Sequence, residues 1–204
     1  MQGIEAVLFD WGGVLIDNPT SSLMDCCARA LAVSAEDYRR AHNRHAEGFQ
    51  RGRIPEATFW RRVCGELGRP LPLPQMPSFW AEAFRAVYSP RRDVFEFAGW
   101  LHANGYRTAL LTNTEGPAME FFLELRYEMF DAPVFSCAEG VCKPEKEIYE
   151  IAARKLATPI GRCVLIDDKP IFVEGARNAG MGGIVYESLE QVKQDLSTLG
   201  VRIE

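Results

Sequence analysis

The chain has 204 residues, of which 47% are hydrophobic and 25% are charged, and its formal net charge is −5 at pH 7. Disordered chains lack this much apolar content, so we expect one folded core with room for an insertion. The negative charge argues against a nucleic-acid partner. Since the chain has no apolar run of membrane-spanning length and no secretory leader pattern, we expect a cytoplasmic protein without a membrane partner. The sequence indicates no particular oligomeric state.

Short strand-like runs alternate with amphipathic helical patterns along most of the chain. The helical patterns cover residues 93–104, 144–156 and 170–179, and Gly180 is a stop signal for the last of them. This alternation is typical of an α/β fold in which helices cover both faces of a parallel sheet. The predicted strands are residues 4–9, 107–112, 133–136, 162–166 and 183–186.

Residues 18–89 interrupt this alternation, because they contain helical patterns and no convincing strand. The helical patterns lie at 22–31, 34–50 and 56–67, and Ser34 with Asp37 forms a plausible helix-capping pair. A proline-rich segment at 69–77 is predicted to be a loop joining two helices rather than a polyproline ligand. We therefore divide the chain into a core of residues 1–17 and 90–204 and an inserted helical unit of residues 18–89.

Polar side chains follow three of the predicted strands at the points where the strands end. Asp10 follows the first strand, Thr112 and Asn113 complete the second, and Asp167 and Asp168 follow the fourth. The carboxyl ends of parallel strands meet at one edge of a sheet, where open α/β folds bind ligands. Two adjacent carboxylates repel each other unless a cation is bound. These residues therefore predict a site for a cation and an anionic ligand.

Lys143 precedes a predicted helix that has Pro144 at its first position. Taken singly, each of these polar residues has an ordinary explanation. Asp10 could begin a turn before glycines, Lys143 could be a solvated surface charge, and the acid pair could cap a helix. The order of an acid, a hydroxyl, an ammonium and an acid pair is more informative than any one of them.

That order resembles the haloacid dehalogenase-like superfamily, whose members are mostly phosphatases, and the resemblance extends over the full chain. The resemblance implies a Rossmann-like, doubly wound core with a helical cap inserted after the first strand. This agrees with the insertion found at residues 18–89 from the pattern alone. The matching segments are Phe9-Asp10-Trp11-Gly12-Gly13-Val14-Leu15, Leu111-Thr112-Asn113-Thr114, Lys143-Pro144 and Ile166-Asp167-Asp168.

The resemblance also implies a nucleophile and a metal site. Asp10 would attack phosphorus and form an aspartyl-phosphate. A Mg²⁺ ion would be bound by Asp10, by the backbone carbonyl of Gly12 and by Asp168, and Asp167 would ligate it directly or through water.

Further roles concern the phosphorylated substrate. By the same resemblance, Thr112 and the backbone amide of Asn113 would hold the transferring phosphoryl oxygens, and Lys143 would offset the charge of nucleophile and phosphate. Trp11 follows the nucleophile and is a candidate contact for the substrate or the cap, or a ring that closes the core beneath the cap.

Gly12 departs from the pattern of most phosphatases of this superfamily, which carry a second aspartate there as general acid and base. Such catalysis contributes about a hundredfold to ten-thousandfold in rate, or about 3 to 5 kcal/mol. With glycine at this position, the chain resembles a bacterial subgroup that includes a glucose-1-phosphate phosphatase. The absence of the second aspartate favours sugar phosphates whose leaving group departs with little protonation.

Two other functions stay open. A catalytically idle domain that binds a phosphorylated ligand or a partner protein would also lack the aspartate at position 12. A 2-haloacid dehalogenase lacks it too, but needs no metal, so the retained acid pair argues against that activity. A histidine mechanism is not expected, because His42, His45 and His102 lie in predicted helices away from the strand ends. The basic run around His42 is expected to be mainly a solvated helix face.

Overall fold

A single parallel sheet forms the core of the computed structural model, which describes residues 3–71 and 77–203. Its strand order is β3-β2-β1-β4-β5, with every pair parallel. The predicted α/β class is confirmed, and four of the five strands agree closely with their predicted ranges. The strands are β1 Ala6–Phe9, β2 Arg107–Thr112, β3 Val134–Phe135, β4 Cys163–Asp167 and β5 Gly182–Val185.

Alternate side chains of the central strands enter two separate hydrophobic layers. Val7 and Phe9 of β1 belong to one layer, whereas Ala6 and Leu8 belong to the other. All four side chains are fully buried. A strand that is covered on both faces has no solvated side, which explains why β1 is a continuous apolar run.

The segment between β1 and the rest of the core is helical, and its described residues between 18 and 89 contain no strand. The three predicted helices are confirmed to within two residues, and Ser34 Oγ accepts a hydrogen bond from Asp37 N at 3.0 Å. Residues 72–76 of the predicted proline-rich loop lie outside the described residues. The division at residues 18–89 stays a prediction. The helices are α1 Thr20–Ala30, α2 Ala35–Gln50, α3 Glu56–Leu67 and α4 Phe79–Val87.

The described residues contain six further α-helices and a short 3₁₀ helix, Ile160–Arg162, and none of their helices is long and apolar enough to cross a membrane. The pattern-based helices at 93–104, 144–156 and 170–179 correspond to α5, α8 and α9, whereas α6, α7 and α10 were not predicted. The helices are α5 Arg92–Ala103, α6 Gly116–Glu124, α7 Ser136–Glu139, α8 Lys146–Lys155, α9 Pro170–Asn178 and α10 Leu189–Thr198.

Two local predictions in the core were wrong. Pro144 is not the first residue of a helix, because α8 begins at Lys146. The side chain of Asn113 binds both backbone groups of Lys143 and so holds this segment as a loop. Ser136 belongs to α7 rather than to β3, which is a two-residue edge strand paired only with β2.

The chain leaves and re-enters the core at two adjacent segments. Ile16 forms an antiparallel bridge with Pro90, and Asp17 N donates to Ser89 O at 2.9 Å. The two segments that connect the core to the inserted helices therefore lie side by side, directly beyond the carboxyl end of β1. This arrangement places the inserted helices over the sheet edge that carries Asp10.

Candidate active site

Three carboxylates predicted at the strand ends converge in the structure. One oxygen each of Asp10, Asp167 and Asp168 lies within 4.8 Å of the others. The register explains this, because Phe9 of β1 is paired with Ile166 of β4, so Asp10 and Asp167 follow at the same level. The described residues contain no other group of three or more acids, histidines or cysteines arranged to hold a metal.

Lys143 lies between two of these carboxylates. Its Nζ is 2.9 Å from Asp10 Oδ1 and 2.5 Å from Asp167 Oδ2, and it donates to the carbonyl of Leu111 at 2.9 Å. The side chain is fully buried, which excludes a solvated surface charge. Burial by itself lowers the pKa of Lys143, but the charges of Asp10 and Asp167 outweigh it and raise that pKa. Lys143 therefore stays protonated.

Asn113 fixes the position of Lys143. Asn113 Oδ1 accepts from Lys143 N at 2.8 Å, and Asn113 Nδ2 donates to Lys143 O at 2.9 Å. The side-chain amide of Asn113 thus holds the loop that carries the ammonium group of Lys143. Thr112, the last residue of β2, is buried and lines the same cavity as Asp10.

The acid pair is suited to a cation. Burial and the nearby charge of Asp10 raise the pKa of Asp168, and Asp168 Oδ1 is buried without a hydrogen-bond partner among the described residues. Burial also raises the pKa of Asp167, although Lys143 opposes the shift. Hard carboxylate oxygens of this kind fit Mg²⁺, which would offset their repulsion and give the unpartnered oxygen a partner.

The glycines after Asp10 make room for this arrangement. Gly13 has φ +93°, and a Cβ atom there would lie 2.2 Å from Asp168 Oδ2. A side chain at Gly13 would therefore displace the carboxylate. At Gly12, where most phosphatases of the superfamily carry the second aspartate, a Cβ would lie 3.1 Å from Cδ of Pro19. Position 12 is crowded by the segment that leads into α1.

A cavity of about 180 Å³ separates the strand ends from the inserted helices. Asp10, Thr112 and Lys143 line its core side. Its opposite wall combines apolar side chains, including Met24, Trp80 and Phe84, with several polar ones. A bound molecule would therefore meet charged groups at one end and both apolar and polar groups at the other.

Trp11 borders this cavity but is almost completely buried. Its ring centroid lies 4.9 Å from that of Phe84 in α4 and 5.2 Å from that of Phe122 in α6. Trp11 thus joins the loop after β1 to the inserted helices and to the core. Its predicted contact with substrate stays a prediction.

His42 was expected to lie away from the strand ends, and this was wrong. Helix α2 passes over the sheet edge, so His42 lines the cavity. The imidazole is buried and stacks on Trp80 at a centroid distance of 5.7 Å. Burial lowers its pKa. The neighbouring Arg39, Arg40, Arg44 and Arg53 are exposed, as predicted for most of the basic run.

Glu115 and Gln50 also line the cavity and were not identified from the sequence. Glu115 is 6% exposed, and its Oε1 accepts a hydrogen bond from Gln50 Nε2 at 3.0 Å. Burial raises the pKa of Glu115 to about 6, although the bond from Gln50 opposes this shift. The sequence signal that could have identified Glu115 is a charged residue three positions after Thr112 and just before a helix.

Comparisons with known proteins agree with this geometry. Residues 4–180 match the family model described as haloacid dehalogenase-like hydrolase. The chain is 28% identical to the sesquiterpene phosphatase AstK of Aspergillus oryzae over 88% of each protein. It is 37% identical to flavin mononucleotide hydrolase 1 of Arabidopsis thaliana over 76% of the chain and 62% of that protein.

Other similarities extend over nearly all of the chain. It is 26% identical over 95% of its length to mouse acyl-CoA dehydrogenase family member 10, but spans only 19% of that protein. The crystal structure of a haloacid dehalogenase family enzyme from Bacteroides thetaiotaomicron shares the fold, with a TM-score of 0.77, 20% identity and coverage of 98% of this chain and 100% of the other. With the matched model spanning most of the sequence and the strand-end residues assembled as described, the chain belongs to the haloacid dehalogenase-like hydrolases.

Proposed function

We propose that the protein is a Mg²⁺-dependent phosphatase that hydrolyses a small phosphorylated metabolite through an aspartyl-phosphate on Asp10. The observation that carries this proposal is the buried ammonium of Lys143 between Asp10 and Asp167, beside the unpartnered oxygen of Asp168. An anionic nucleophile can approach an anionic phosphate only where fixed positive charge offsets both.

In the proposed reaction, a carboxylate oxygen of Asp10 attacks phosphorus in line with the leaving oxygen. Lys143 offsets the negative charge that gathers there, while Thr112 and the backbone amide of Asn113 hold the phosphoryl oxygens.

The metal has one role in this scheme. When bound by Asp10, the Gly12 carbonyl and Asp168, with Asp167 a ligand directly or through water, Mg²⁺ supplies positive charge to the transferring phosphoryl group.

Relatives support phosphate esters as the substrate class. One curated relative is a sesquiterpene phosphatase and another is a flavin mononucleotide hydrolase. The cavity of about 180 Å³ is smaller than the roughly 300–1,000 Å³ typical of pockets for larger ligands. Its polar side chains, which include Gln50 and His42, suit hydroxyl groups. We therefore favour a sugar phosphate, including anomeric ones such as glucose 1-phosphate, over a sesquiterpenyl or flavin substrate.

Phosphate release from a panel of sugar phosphates, with and without Mg²⁺, tests this function. Wild-type protein is expected to release phosphate from at least one member, and Asp10→Asn to release none because an amide is not a nucleophile. Asp93→Asn, the same change at an exposed position in α5, serves as the control and keeps full activity.

Two other outcomes correspond to the alternatives. If wild-type protein binds phosphate or beryllium fluoride with Mg²⁺ but turns over no phosphate ester, the protein is a binding domain. If it releases halide from a 2-haloacid and a chelator leaves the rate unchanged, it is a dehalogenase. The second outcome would leave the cation-suited pair Asp167 and Asp168 without a purpose.

A further inference from the structure

We propose that Glu115 is the general acid and base of this enzyme, replacing the aspartate that is absent at position 12. This inference rests on the proposed phosphatase function. Glu115 would protonate the leaving oxygen and then remove a proton from the water that hydrolyses the aspartyl-phosphate.

The position of Glu115 suits this role. It follows β2 by three residues, so the strand that ends in Thr112 also carries Glu115 into the cavity shared with Asp10. Its bond to Gln50 of α2 places the carboxyl group beside the inserted helices. In-line displacement puts the leaving oxygen on the side of phosphorus opposite Asp10, which is the side toward those helices.

Other groups around the cavity are less suited. Among the described residues that line it, carboxyl groups are carried by Asp10 and Glu115, and Asp10 is the nucleophile. His42 lines it as well, but its imidazole is stacked on Trp80 and its Nδ1 lies 3.2 Å from Asn43 Oδ1, so the ring is held within the inserted helices. A side chain at position 12 would press against Cδ of Pro19, 3.1 Å from its Cβ, so Pro19 would have to shift slightly.

The surroundings of Glu115 allow both of its protonation states. Burial raises its pKa to about 6, within reach of neutral pH, and Gln50 stabilises the ionised form. The titratable groups that face it are Cys27 of α1, Tyr38 of α2 and Cys137 of α7, whose pKa values are all raised chiefly by burial. All three therefore stay neutral near pH 7 and place no charge beside Glu115.

The proposed proton transfers balance over one turnover. In the first half, Asp10 forms a bond to phosphorus, the bond from phosphorus to the leaving oxygen breaks, and that oxygen receives the proton of Glu115. In the second half, ionised Glu115 takes a proton from water, the water oxygen attacks phosphorus, and the bond to Asp10 breaks. Phosphate leaves, and Glu115 is protonated again.

The test compares leaving groups in wild type and in Glu115→Gln. The substrates are phenyl phosphates of graded acidity, including p-nitrophenyl phosphate, together with an alkyl phosphate. The expected fall in kcat/KM is about 10²- to 10⁴-fold for the alkyl phosphate. For p-nitrophenyl phosphate it is small, because that leaving group departs without a proton. The parameter kcat/KM is used because it reports phosphoenzyme formation.

Two further variants sharpen the comparison. Glu139→Gln makes the same change in α7, where the partly buried Glu139 pairs with Lys155, and should leave every rate unchanged. Glu115→Asp keeps a carboxyl group on a shorter side chain and should retain part of the alkyl phosphate activity. It also provides the readout if Glu115→Gln fails to fold.

Each remaining outcome decides the question. An equal loss for all leaving groups, or no loss, would overturn the role of Glu115 while leaving the phosphatase function intact. Absence of turnover by the wild type on every substrate would instead overturn the proposed function itself.

The pH dependence of the rate gives a second readout. In wild type, kcat/KM for the alkyl phosphate should fall as pH rises through the pKa of Glu115, and in Glu115→Gln this fall should be absent.

Discussion

The ammonium nitrogen of Lys143 lies 2.9 Å from Oδ1 of Asp10, and both side chains are buried at the carboxyl edge of the sheet. The residues are far apart in the sequence, and the pair exists because Asn113 holds the Lys143 loop against the end of β2. The nucleophile is therefore held beside a fixed positive charge before any substrate arrives. Such preorganisation costs no rearrangement during the reaction.

Replacing Lys143 tests how strongly the core depends on this charge. Lys143→Met leaves the buried carboxylates of Asp10 and Asp167 uncompensated, so the free energy of unfolding should fall by about 3–5 kcal/mol. Urea denaturation without metal measures this change. Lys146→Met, which breaks an exposed ion pair with Glu150, should cost at most about 1 kcal/mol. Equal losses in the two variants would contradict the central role of Lys143.

Mg²⁺ should stabilise the folded protein through Asp168. At a concentration about 100 times its Kd, a ligand that binds only the folded state adds about 2.7 kcal/mol. Thermal unfolding of the wild type should therefore shift upward with Mg²⁺, and Asp168→Asn should lose most of this shift. Asp93→Asn should keep it. An undiminished shift in Asp168→Asn would place the ion elsewhere.

Gly13 should tolerate no side chain. In Gly13→Ala the new Cβ would lie 2.2 Å from Asp168 Oδ2, and φ there is +93°. We expect a loss of about 1–3 kcal/mol from backbone strain, together with loss of the Mg²⁺-dependent shift. Gly99→Ala in α5, whose Cβ meets nothing within 4 Å, should stabilise the protein by up to about 1 kcal/mol. Unfolding measurements on both variants, with and without Mg²⁺, test this. Retention of the full shift by Gly13→Ala would be the contrary result.

Glu115 should make stability depend on pH. Its pKa rises from 4.5 to about 6 on folding, so the folded state binds the proton more tightly. Its contribution is most favourable below the lower of these values. It is lost as pH rises through them, by about 2 kcal/mol in total. Glu115→Gln lacks this loss, so it should gain stability relative to wild type as pH increases across that range.

Urea denaturation of wild type and Glu115→Gln, at a pH below 4.5 and at a pH above 6, measures this difference in stability. Glu96→Gln, the same change at an exposed position of α5, should show little such trend. If the difference in stability between Glu115→Gln and wild type did not change with pH, Glu115 would not be desolvated in solution. Greater stability in a variant that loses activity is expected where a buried carboxyl serves catalysis.

Much of the core could be predicted because its signals are local. A fully buried strand is a short apolar run, and a parallel sheet brings the residues that follow its strands to one edge. This is why Asp10, Thr112 and the Asp167-Asp168 pair were anticipated at one place. Boundaries set by distant contacts were less predictable. Helix α8 starts at Lys146 rather than Pro144 because the side chain of Asn113, directly after β2, holds the preceding loop.

The sequence by itself determined the α/β class, the order of the strand-end residues and the family they indicate, since these depend on periodicity and on neighbours along the chain. Only the tertiary structure decided that Lys143 is buried, and that His42, Gln50 and Glu115 border the cavity. A helix shows its apolar and polar faces in its sequence, but not where it lies across the sheet edge. That placement depends on packing between segments far apart in the chain, and it determines which side chains meet the substrate.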